Sequence, residues 1–123
     1  IESFESNTKL HKFILQDTVN ILRQLQGNHY FQSTVIACLN SLTLLNVFDE
    51  DVYLTCINLE HVKLDEIEFV NTRFEFSNLE NASFQSTYLE NCCFAHANLT
   101  NANFQEAILK KSDFKLAIIH NTD

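Results

Sequence analysis

The sequence has no proline, and Gly27 is its only glycine. Such a composition excludes a disordered chain, marks a single obvious chain break, and leaves no Gly-rich phosphate loop. No apolar run reaches the roughly 18–20 residues of a membrane span. Nor does a basic stretch with a small-residue cleavage site mark export. The expectation is a cytoplasmic protein that does not engage a membrane. Four cysteines, Cys38, Cys56, Cys92 and Cys93, lack zinc spacing and any evident disulfide pairing, so free thiols are expected. The histidines, His11, His29, His61, His96 and His120, form no helical metal pair. With no acid–base or nucleophile constellation either, the sequence predicts no enzyme, no cofactor and no metal. The chain opens on Ile1 rather than Met, which leaves room for a longer native protein.

What the chain does have is a five-residue comb. Its central positions are Leu54, Leu59, Leu64, Phe69, Phe74, Leu79, Phe84, Leu89, Phe94, Leu99, Phe104, Leu109, Phe114 and Ile119, fourteen without a gap. Two places earlier stand Val52, Ile57, Val62 and Ile67, then only Thr, Ser, Ala or Cys as far as Ala117. A helix of period 3.6 or a strand of period 2 cannot keep such a comb on one side, so a repeating coil is required.

The comb resembles the pentapeptide-repeat family, whose pattern approximates Ala-(Asp/Asn)-Leu-x-x; the clearest copies are Ala97-Asn98-Leu99-Thr100-Asn101 and Ala102-Asn103-Phe104-Gln105-Glu106. The resemblance implies a mainly β fold, a right-handed quadrilateral β-helix with four pentapeptides per coil, so that residues twenty apart stack. From Phe74 to Phe114 the central residues alternate Phe and Leu, which predicts one column of Phe74, Phe94 and Phe114 and an opposite one of Phe84 and Phe104. Each such burial stabilises by roughly 1.5–3 kcal/mol. Asn recurs at the corners, at Asn71, Asn81, Asn91, Asn101 and Asn121, where its tolerance of turn conformations suits a square coil.

Two segments are expected: 1–48, a helical hairpin, and 49–123, a β-helix of about three and a half coils. The first helix, 6–26, would bury Leu10, Phe13, Ile14, Ile21, Leu22 and Leu25, with Gly27-Asn28 as its stop. The second, about 30–47, would bury Phe31, Val35, Cys38, Leu39, Leu42 and Leu45, broadened by Leu44 and Val47. Two helices bury too little to stand alone, so the hairpin either caps the open end of the β-helix or is the tail of an upstream helical domain.

The net charge of −8 is uneven. Residues 49–90 hold ten acids against Lys63 and Arg73, while both flanks balance. Among those acids Glu60, Asp65, Glu66, Glu68, Glu75, Glu80 and Glu90 form a candidate acidic interaction face. This argues against direct nucleic-acid binding and leaves a basic partner open. The leading reading is a non-catalytic scaffold or protein–protein interaction module with an unidentified protein partner. Two others are carried: a DNA mimic that binds topoisomerases, as some members of the resembled family are, and an accessory domain of a larger regulatory, defence or effector protein, as in bacterial effector ligases. Ile118 and Ile119 would lie at an uncovered last coil, predicting a homodimer through the C-terminal coil or continuation of the β-helix.

Overall fold

The computed structural model describes residues 13, 16–25, 28–44 and 51–123. Helix α1 covers 16–24 and α2 His29–Leu44. Short strands follow: β1 (Val52–Tyr53), β2 (Glu68–Val70), β3 (Thr72–Arg73), β4 (Tyr88–Glu90) and β5 (Ile108–Lys110). All their pairings are parallel with partners twenty residues apart: Val52 with Thr72, Phe69 with Leu89, and Leu89 with Leu109. Single bridges at Asn58–Asn78 and Lys63–Ser83 carry the same register on the two remaining sides. The chain therefore turns through four sides in twenty residues, and each side builds its own ladder rather than joining one continuous sheet.

The turns between sides explain the five-residue period. Every fifth residue from Cys56 to Asn121 has a positive φ, between 53° and 64°. This left-handed conformation reverses the inside–outside alternation of a strand, so the comb always returns inward. Asn and His tolerate it better than most side chains, and it disfavours β-branched ones most. None of the fourteen corner residues is β-branched, five are Asn and two are His.

The interior is filled by the comb. Leu54, Leu59, Leu64, Phe69, Phe74, Leu79, Phe84, Leu89, Phe94 and Leu99 are buried. Phe74, Phe94 and Phe114 stack at 4.9 and 4.8 Å between ring centroids, and Phe84 stacks on Phe104 at 4.7 Å. The two columns meet edge to face, as Phe84 and Phe94 do at 5.6 Å. Polar residues in the small inward slots satisfy their hydroxyls on backbone: Ser77 donates to the Leu54 carbonyl and Thr87 to that of Phe84. At the last coil the comb is uncovered. Phe104 and Phe114 are half-buried, whereas Leu109 and Ile119, expected in the core, are exposed, since among the described residues no coil stacks on theirs.

The helices meet the first coil through a face that overlaps the expected one only at Leu22 and Val35 among the described side chains. Val19 and Leu22 of α1, and Gln32 and Ile36 of α2, are buried, with Val35 packed beside them. Phe13, Ile21 and Phe31 are exposed instead. Leu10, Ile14, Gly27, Leu45 and Val47 lie outside the described residues. Asn28 serves both helices: its N–H donates to the Leu25 carbonyl just past α1, and its Oδ1 accepts a hydrogen bond from the Phe31 N–H as the N-cap of α2.

The buried Gln32 has a physical reason. In later coils backbone groups are taken by the neighbouring coil: the Glu75 carbonyl accepts from Cys56 N–H, the Asn78 carbonyl from Leu59 N–H, and Ser83 N–H donates to the Val62 carbonyl. At the equivalent places of the first coil, helix side chains stand in. Arg23 Nη1 donates to the Thr55 carbonyl at 2.8 Å, Gln32 Nε2 donates to that of Asn58 at 2.7 Å, and Lys63 N–H donates to Ser33 Oγ at 2.9 Å.

Candidate interaction surfaces

Because side chains fill the interior, recognition has to use the outside, where the register lines residues twenty apart into ladders. On the first side stand Tyr53, Arg73, Cys93 and Asp113, and beside them Thr55, Glu75, Ala95 and Lys115. Arg73 binds Glu75 through Nε and Asp51 through Nη1, and these hydrogen bonds, that to Glu75 foremost, raise its pKa. The second side carries an amide ladder: Asn78 Nδ2 donates to Asn58 Oδ1, and Asn98 Nδ2 to Asn78 Oδ1. The Oδ1 atoms of Asn58, Asn78 and Asn98 each also accept the backbone N–H two residues on, which fixes the turn.

The acidic residues do not form one face. Successive pentapeptides occupy successive sides, so Glu75 lies on the first side, Glu60 and Glu80 on the second, Asp65 and Glu66 on the third, and Glu68 and Glu90 on the fourth. They ring the first two coils instead. Several are engaged: Glu60 with His61 at 3.5 Å, Glu90 with Lys110 at 3.5 Å, and Asp65 as acceptor from the Ser83 hydroxyl and the Gln85 N–H.

Cys92 is buried in an inward slot, and desolvation pushes its pKa up to about 11; Cys93 is half-buried and Cys56 exposed, both on the first side. Among the described residues no cluster of His, Cys, Asp or Glu could hold a metal ion, and no helix is long and apolar enough to cross a membrane.

The C-terminal end holds an apolar cavity of about 240 Å³ lined by Leu99, Phe104, Leu109, Phe114 and Ile119, with Thr122 and Asp123 at its edge. Ile119, which lines it, and its chain neighbour Ile118 are both exposed.

The family profile of pentapeptide repeats matches residues 53–91 and 82–121, in eight copies. The chain belongs to the pentapeptide-repeat family. No curated protein matches it. Among solved structures it is similar to HetL, a pentapeptide repeat protein involved in heterocyst differentiation regulation from the cyanobacterium Nostoc sp. strain PCC 7120. That likeness has 21% identity over 58% of this chain and 35% of HetL, with a TM-score of 0.38. It is also similar to Rfr23, a pentapeptide repeat protein of the cyanobacterium Cyanothece 51142, at 21% identity over 62% of this chain and 63% of Rfr23, with a TM-score of 0.23. The chain thus spans less than two thirds of either protein.

Sequence reasoning missed one surface feature. Three of the four corner columns are polar throughout, for example His61, Asn81, Asn101 and Asn121. The fourth, Cys56, Phe76, His96 and Leu116, is not. Phe76 and Leu116 are 60% and 66% exposed, and Phe76 stacks on His96 at 4.6 Å. Reading every twentieth residue would have found it.

Proposed function

We propose that this pentapeptide-repeat chain is a non-catalytic interaction module: a right-handed square coil, closed at its first turn by a helical hairpin, that presents its side ladders to a protein partner in the cytoplasm. The observation that carries the reading is the filled interior. With Phe and Leu columns occupying the axis, the side chains open to a partner are displayed outward, in rows about 4.8 Å apart. Arg23, Gln32 and Ser33 support the capping role, since each bonds a first-coil backbone group that a preceding coil would otherwise take. In a longer protein the same module would serve as the accessory domain beside an enzymatic part.

The DNA-mimic reading is weaker. Glu75 and Glu90 face Arg73 and Lys110, which interrupt a continuous negative track. Pairing of two copies through the C-terminal coil is favoured by one observation, the apolar cavity beside Ile118 and Ile119.

A photoactivatable benzoylphenylalanine at one outward position per side, Cys93, Thr100, Gln85 and Tyr88, tests the module reading in the native cell. One protein captured from one side or two adjacent sides, and lost on substitution of neighbouring outward residues, is the expected result. Equal capture of many proteins from all four sides, or of none, would overturn it.

A further inference from the structure

The first side is complementary to itself. Its charges sit on the second and fourth coils with opposite order, Arg73 and Glu75 below, Asp113 and Lys115 above, and small neutral Cys93 and Ala95 between them. Consider a second copy laid against this side, running antiparallel, with the two-fold axis in the contact plane at the level of Cys93. Columns then face themselves while coils are exchanged. Arg73 meets Asp113 of the second copy, Glu75 meets its Lys115, and Phe76 meets its Leu116. Each contact occurs twice, as an isologous interface requires.

The corner column adds independent support. Phe76 and Leu116 are the two large apolar residues among fourteen left-handed corners, and both lie on this one edge. At a corner a polar Asn would relieve both the conformational cost and the exposure, as it does at Asn81 and Asn101. Paired with each other, both side chains leave water.

We propose that the first side is a lateral docking surface for a second copy of this chain, held by the exchanged pairs Arg73–Asp113 and Glu75–Lys115 and by Phe76 against Leu116. This surface is distinct from the C-terminal end: an end-to-end pair would leave the two Cys93 residues several coils apart, whereas here they meet at the axis.

Sedimentation equilibrium on the full chain tests it. The parent should dimerise, more weakly as salt rises, because exposed ion pairs are screened. Glu75→Lys and Lys115→Glu should each sediment as monomers, since each homodimer would carry two like-charge contacts. An equimolar mixture of the two should dimerise again, because in the mixed pair both contacts between positions 75 and 115 are Lys against Glu. Leu116→Asn, a residue suited to the corner, should weaken dimerisation roughly tenfold or more while circular dichroism stays unchanged. A monomeric parent, dimerisation by both charge variants equal to the parent's, or a monomeric mixture of folded variants would overturn the proposal. So would loss of dimer in Ile119→Lys together with full retention in Leu116→Asn, which would assign the contact to the C-terminal end.

Discussion

Phe94 lies face to face between Phe74 and Phe114, with ring planes within 8° and 4° of parallel, although each neighbour is twenty residues away. Edge-to-face contacts with Phe84 and Phe104 complete its surroundings. A side chain so enclosed leaves a void when truncated, because rigid coils above and below limit collapse. Phe94→Ala should therefore cost about 3–5 kcal/mol in urea unfolding. Glu90→Ala, which removes a surface pair with Lys110, should cost no more than about 1 kcal/mol. Equal losses would contradict the inward and outward assignment.

The corners make a second, conformational prediction. Asn101 has φ 59°, a value a β-branched residue adopts with difficulty. Asn101→Val should destabilise by about 1–2 kcal/mol or more, whereas Asn101→Gly should be close to neutral. Thermal unfolding of the two variants checks the difference, and a Val variant as stable as the Gly one would count against the left-handed corner.

The comb, the stacked columns and the corners were legible because one physical period, five residues, produces all three. The faces of the helices were legible only in part, at Leu22 and Val35. Apolar periodicity favours Phe13, Ile21 and Phe31, yet the end of a coil offers carbonyls as well as methyl groups, so Gln32 and Arg23 turn toward it. Clustering of acids along the chain likewise suggested a face, but each pentapeptide turns the chain to the next side, so neighbours such as Asp65 and Glu75 end on different sides. Leu109 and Ile119 follow the comb perfectly and are exposed, because burial in a solenoid comes from the next coil rather than from the residue's own.

Gln32 carries the third prediction. Gln32→Leu keeps the volume but leaves the Asn58 carbonyl without its donor, so unfolding stability should fall by about 1–3 kcal/mol. Hydrogen exchange should speed at amides of the first coil before those of the third. Unchanged exchange around residues 54–64 would mean that the helices do not hold this coil.

Cys92 supplies a pH dependence. Burial raises its thiol pKa to about 11 in the folded chain, above the unfolded value near 9. The folded state thus binds this proton more tightly, and its contribution is full below about pH 9 and is lost as pH rises toward 11. Relative to Cys92→Ala, whose side chain fits the slot as Ala97 and Ala102 do, the parent should lose stability faster over that window. Denaturant melts at pH 8 and pH 10.5 measure it; parallel losses would place Cys92 in water.

The twenty-residue register underlies every surface assigned above, and nuclear Overhauser effects between phenylalanine rings read it directly. With the phenylalanines selectively labelled, cross-peaks are predicted for Phe74–Phe94, Phe94–Phe114 and Phe84–Phe104, and none for Phe74–Phe114, which lie two coils apart. Edge-to-face neighbours ten residues apart, such as Phe84–Phe94, should also give cross-peaks; absence of the twenty-residue contacts, or the sequential pattern of a continuous helix through residues 52–119, would contradict the coil and with it the surfaces built on it.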